Sequence, residues 1–217
     1  MKKLLSAIAG AMLVAAPALQ AQTLLTAAFG GTQATNIIAT CPSSYCFGVG
    51  PTSIGTNGFT VTYTATPSGA LLSGPGGGYG LASNGSWQNV AYAATNDGYG
   101  NVRFTFGSAV TSVGGWMNYS PDNGAAPTIS AFDGFNNLIA SYDLYTLAPI
   151  TASGTDQSEF RGISYAGGIT SFEIGGTYIL TQDLSADITT VPEPTTMVLM
   201  GAGLLGLVAL RRRQRAS

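Results

Sequence analysis

Hydrophobic and polar positions alternate along most of the chain. Between 59 and 66, Phe59, Val61, Tyr63 and Ala65 interleave with Thr60, Thr62, Thr64 and Thr66. A period of two puts one set on each side of an extended backbone, which predicts a strand with an apolar face and a threonine face. Comparable runs predict strands over 87–92, 102–106, 110–119, 127–132, 138–144, 160–165, 169–174 and 177–180. Clusters of Gly, Asn, Asp, Ser or Pro separate them at intervals of roughly ten residues. Asp133-Gly134-Phe135-Asn136-Asn137 reads as a hairpin turn, and Gly175-Gly176 as a second tight turn or a bulge. No stretch between 22 and 190 carries a helical stripe, and the helix formers Lys and Glu are nearly missing from it.

About nine to eleven short strands over ~165 residues predict an all-β fold, a β-sandwich or jelly roll whose two sheets bury their apolar faces against each other. A parallel β-helix would need a fixed-period repeat, and the chain has none.

Both ends depart from this pattern. Residues 1–21 read MKKLLSAIAGAMLVAAPALQA. Lys2 and Lys3 precede an apolar stretch over 4–16, and Pro17 and small residues follow, which is the three-part layout of a secretory signal peptide. Cleavage between Ala21 and Gln22 fits it, with cleavage after Ala18 as the alternative. The other end reads VPEPTTMVLMGAGLLGLVALRRRQRAS. Its uncharged run over 195–210 would span roughly 24 Å as a helix, short of a ~30 Å hydrocarbon core. Arg211, Arg212, Arg213 and Arg215 follow. Their side chains can snorkel to the headgroups, and their charge holds this end in the cytoplasm. A single transmembrane helix over 195–210 therefore places the residues between 22 and about 190 outside. Val191-Pro192-Glu193-Pro194 stands directly before the helix, extended and exposed because two prolines in three residues block helix and sheet.

The ordered set of Pro-Glu-Pro, short apolar helix, Arg cluster and chain end resembles the PEP-CTERM proteins, secreted proteins of Gram-negative bacteria. The resemblance covers 191–215. It implies that an exosortase, a membrane-embedded thiol transpeptidase, recognises and cuts the chain near Val191, Pro192, Glu193 and Pro194. It also implies export through the inner membrane, transient anchoring, and a surface or extracellular fate linked to exopolysaccharide, biofilm or floc. The expected organisation is a signal peptide at 1–21, a passenger at 22–190 and a sorting signal at 191–217.

Composition narrows what the passenger can do. Only 8% of the 217 residues are charged, 45% are hydrophobic, 30 are Gly and none is His. Without histidine, Ser-His-Asp, Cys-His and His-metal chemistry are excluded. Lysine occurs only at Lys2 and Lys3, so the passenger has no Schiff-base or phosphate-binding lysine. The formal charge of -2 averages unlike parts. The passenger holds two cations, Arg103 and Arg161, against nine carboxylates, a charge of -7. That balance argues against nucleic acid as a partner and leaves neutral polysaccharide open. No catalytic residue is assigned, and the passenger is read as a structural or adhesive protein rather than an enzyme.

The stretch 113–187 also resembles the second half of jelly-roll carbohydrate-binding-type domains, through SVGGWMNY, PTISAFDGFNNLIASYDL, FRGISY and ITSFEIGGTYILTQDL. A carbohydrate-binding module is accordingly the alternative reading, and a glycoside hydrolase the third. Trp87, Trp116 and Tyr119 are the candidates for stacking on sugar rings, against a plain core role. No cofactor and no metal site are assigned. The one cation left open is Ca²⁺, for which the jelly-roll resemblance points to Asp122-Asn123, Asp133 and Asp183. Cys41 and Cys46, the only cysteines, are expected to form a small structural disulfide in an oxidising compartment.

Overall fold

The computed structural model describes residues 21–28, 33–34, 45–54, 59–66, 70–73, 92–95, 97–149, 159–176, 178–188 and 203. Twelve strands between Thr23 and Asp187 join in one antiparallel sheet. Strand β5 (Val61–Thr66) keeps the alternation of the sequence: Val61, Tyr63 and Ala65 are buried, and the intervening threonines face outward.

Two strands are far longer than the pattern predicts. The runs 102–106 and 110–119 fuse into β8 (Asn101–Asn118), and 160–165 and 169–174 fuse into β11 (Glu159–Gly175). Gly107-Ser108 and Gly167-Gly168 read as punctuation, but each strand continues through them and turns a corner, with Gly168 in the left-handed region at φ +94°. The corner shows in the burial phase. Val102, Phe104, Phe106 and Val110 are buried at even positions, whereas Val113 and Met117 are buried at odd ones. The β8–β11 register breaks at the same place, between Ser164 and Ile169 and again between Ile169 and Ser171.

On one side of the corner the sheet runs β4 (Thr52–Ser53), β5, the first part of β8, the last part of β11, β9 (Thr128–Phe132) and β10 (Leu138–Asp143). On the other it runs β1 (Thr23–Leu25), the first part of β11, the last part of β8, β12 (Leu180–Asp187), β7 (Tyr92–Thr95), β6 (Ala70–Ser73) and β3 (Tyr45–Gly48). Strand β2 (Gln33–Ala34) pairs with the end of β12. One core cluster draws Val61, Phe104, Ile129 and Phe172 from the first half and Val113, Met117, Ile163 and Leu184 from the second. The halves therefore enclose a common core, as a sandwich does, but they are hydrogen-bonded through two shared strands. Fully burying each such side chain stabilises the fold by ~1.5–3 kcal/mol.

The strand expected over 138–144 ends at Asp143, whose side chain accepts from the Tyr145 N–H at 2.8 Å and caps a single helical turn, α1 (Leu144–Leu147). One turn is too short to leave a stripe in the sequence. Buried Arg161 fastens it: Nε donates to the Leu147 carbonyl at 2.9 Å, Nη1 to the Phe160 carbonyl at 2.7 Å, and Nη2 reaches Glu159. Gly176 forms the turn after β11, with φ +91° and its N–H on the Gly100 carbonyl at 3.0 Å. The strand expected over 177–180 starts only at its last residue, Leu180, and continues to Asp187. Of the strand expected over 87–92, only Tyr92 falls among the described residues, as the first residue of β7. The expected disulfide lies outside them, because Cys46 has only its backbone placed, in β3 opposite Leu72.

β8 and β11 approach closely where Gly114 faces Gly162. A Cβ on Gly162 would lie 2.4 Å from the Val113 carbonyl oxygen and 2.8 Å from the Gly114 Cα, both backbone atoms that cannot move aside. Gly162→Ala is expected to destabilise the protein by ~1–3 kcal/mol, as overpacking does. Urea unfolding measures this, and an unchanged midpoint would contradict the close approach.

Candidate functional site

The outer face of the first half carries the polar side chains that the inner face excludes. Its register aligns Thr64, Arg103, Glu173, Ser130 and Ser141 in one row across five strands. The row beside it holds Thr66, Asn101, Gly175 and Thr128. Arg103 Nε meets Glu173 Oε2 at 2.8 Å, and Asn101 Nδ2 donates to Glu173 Oε1 at 3.2 Å. Arg103 Nη1 donates to Asn136 Oδ1 at 2.6 Å, and the guanidinium lies 3.8 Å from the Phe132 ring centroid. A shallow cavity of about 240 Å³ opens along Thr64, Thr66, Asn101, Arg103 and Glu173. It offers hydroxyls, an amide and a neutralised ion pair, which suits a hydroxylated, uncharged ligand better than an anion.

Asn136 belongs to the β9–β10 hairpin, which the sequence predicted. The Asp133 carboxylate organises it: Oδ1 accepts from the Phe135 and Asn137 N–H groups, each at 2.8 Å, and Oδ2 from Asn137 Nδ2 at 2.9 Å. The Asn137 side-chain amide, helped by the backbone N–H groups of Asn137 and Phe135, holds the carboxyl below the ordinary aspartate range. This hairpin presents Phe135, 89% exposed, at its tip.

The three aromatic candidates do not form one platform. Trp116 is 39% exposed and meets Phe160 edge-on at 6.0 Å. Tyr119 is fully buried, with its hydroxyl 2.9 Å from the Ala148 carbonyl that accepts it and its ring against Tyr145. Three positions apart on an extended chain, the two side chains point to opposite faces. Trp87 lies outside the described residues. The Ca²⁺ candidates are equally scattered: Asp133 is occupied by its hairpin, Asp122 sits in the loop after β8, and Asp183 lies in β12 at a register break. Among the described residues, no three His, Cys, Asp or Glu side chains gather as a cation site. The Arg103–Glu173 pair was not singled out from the sequence, since its partners stand seventy positions apart and only the β8–β11 register joins them.

The sorting residues stand apart from this surface. Strand β12 ends at Asp187, four positions before Val191. A family model for the PEP-CTERM protein-sorting motif matches residues 190–213. The chain carries a PEP-CTERM sorting motif. The matched span includes Val191, Pro192, Glu193, Pro194, the apolar run and Arg211 to Arg213, with Arg215 just beyond it. No curated protein and no solved structure matches the chain. The PEP-CTERM motif implies export to the cell surface with an exosortase as processing partner. Val191 to Pro194, the arginines and the expected membrane span lie outside the described residues, apart from Gly203, which is helical. Among the described residues no helix is long and apolar enough to cross a membrane. At the other end, Ala21 and Gln22 are exposed and immediately precede β1.

Asp133 should titrate below the ~3.9 of an ordinary aspartate. Because its folded-state value is lowered, its stabilisation is present above the unfolded value and is lost as pH falls through the folded one. A carboxyl titration followed by NMR checks this, and a midpoint at or above the ordinary value would refute the hairpin geometry.

Proposed function

We propose that the protein is a structural or adhesive component of an exopolysaccharide-containing extracellular matrix, exported with its signal peptide, held briefly by its C-terminal helix and released by an exosortase. The PEP-CTERM motif, following directly on a β-sheet body, carries this reading. The body supports a non-catalytic role. The sequence has no histidine, and the described carboxylates of Asp97, Asp133 and Asp143 accept from backbone N–H groups. Glu159 and Glu173 are paired with arginines. In this reading Glu193 is a recognition residue, and Arg211, Arg212, Arg213 and Arg215 fix the depth of the motif in the membrane.

Carbohydrate binding is the second reading, favoured by exposed Trp116 and by the neutral polar cavity beside Arg103. A glycan array, run with and without Ca²⁺, tests it: signal lost in Trp116→Ala or in Arg103→Ala would locate the site, and no signal on any neutral glycan would remove the reading.

Scrambling residues 191–194 in the producing bacterium should leave the chain unprocessed at its C-terminus and retained in the membrane. Unchanged processing, followed by immunoblot of membrane and medium, would sink the sorting role.

A further inference from the structure

The first and last strands of the sheet begin and finish at the same end of the folded body. Strand β1 begins at Thr23, opposite Ser164 of β11. Ser164 faces Ser112 of β8, and Ser112 faces Asp187, the last residue of β12. Thr23, Ser164, Ser112 and Asp187 thus form one row across four adjacent strands. At ~4.8 Å per strand spacing, the entry and exit points of the chain lie ~14 Å apart. Antiparallel pairing then makes β1 run away from this row and β12 run into it, so the sheet both starts at Thr23 and ends at Asp187 on this row.

The tether below that row is short. Only residues 188–190 separate β12 from Val191. However they are arranged, Asp187 and Val191 can stand no more than ~14 Å apart. An enzyme embedded in the membrane must therefore grip residues 191–194 directly beneath the folded sheet. What it meets there is the corner of β8 and β11, where Ser108, Ala166 and Gly167 are exposed and uncharged. Asp187 is the single charge of the row.

From this geometry we infer that the corner end of the body, formed by Ser108, Ala166, Gly167 and the row from Thr23 to Asp187, is a docking surface for the processing exosortase. The inference rests on the exosortase reading given above. Small side chains let the sheet sit close to the rim of the enzyme, and the absence of cations keeps the body from binding anionic headgroups in its place. Tyr99 marks the opposite end of the first half, beside Gly100 and the start of β8, and is 74% exposed.

The test is pulse-chase processing of the full chain in its producing bacterium. Ser108→Arg, Ser108→Glu, Ala166→Arg and Ala166→Glu should each slow C-terminal cleavage about tenfold, equivalent to ~1.4 kcal/mol of clash where the short tether presses the body against the enzyme. Tyr99→Arg should leave the rate unchanged. A flexible Gly/Ser insert of about ten residues after Thr190 should restore the rate of the slow variants, because it releases the body from the enzyme. Restoration also shows that those variants fold. Cleavage of the corner variants at the unsubstituted rate would overturn the inference, as would slowing that the insert does not relieve. Faster cleavage with Arg and slower cleavage with Glu would assign the surface to anionic lipid instead and overturn it too. A chain scrambled at 191–194 serves as the separate control, and its cleavage would defeat the exosortase reading whatever the corner variants do.

Discussion

β8 and β11 run antiparallel to each other through both halves of the sheet, and every other feature takes its position from that pairing. Because the two strands turn the same corner together, the halves are fixed by backbone hydrogen bonds as well as by side-chain packing. Gly114 and Gly162 permit the contact, since any Cβ there would strike backbone. The corner also inverts the burial phase of β8, so that Phe104 and Val113 point into one core from opposite sides. A straight pair of strands would have sent one of the two to solvent.

The pairing also decides how scarce charge is used. Both described arginines are committed to the fold: Arg161 is buried against α1, and Arg103 joins β8 to Glu173 of β11 and to Asn136 of the hairpin. Such partly buried ion pairs lose most of their mutual attraction to desolvation and contribute little net stability on their own. The Arg103–Glu173 pair leaves the outer row of the first half with hydroxyls, an amide and one neutralised pair.

Much of this was readable from the sequence where the cause is local. The alternation in β5 survives because Val61, Tyr63 and Ala65 face a core on one side only. The β9–β10 hairpin was readable because Asp133 and Asn137 supply the turn chemistry within five residues. Length was misread where glycine looked like an ending: Gly107 and Gly167 mark a bend in a continuing strand, where the β8–β11 register breaks and the Gly107 N–H is held instead by the distant Thr60 carbonyl at 2.8 Å. The opposite faces of Trp116 and Tyr119 were legible by parity alone. The Arg103–Glu173 pair, the helical turn after Asp143 and the shared end of the two chain exits depend on register across distant strands, which no local pattern encodes.

A β-sheet body between two disposable addressing segments is the core of the account, and the mature chain itself is its most direct witness. The deciding measurement is the intact mass, with both terminal sequences, of the protein recovered from the matrix of its producing cells. The account predicts an N-terminus at Gln22 and a C-terminus within or beside residues 191–194, with the apolar helix and the arginine tail gone. Recovery of a 22.1 kDa chain that still carries Arg211 to Arg215 would contradict it.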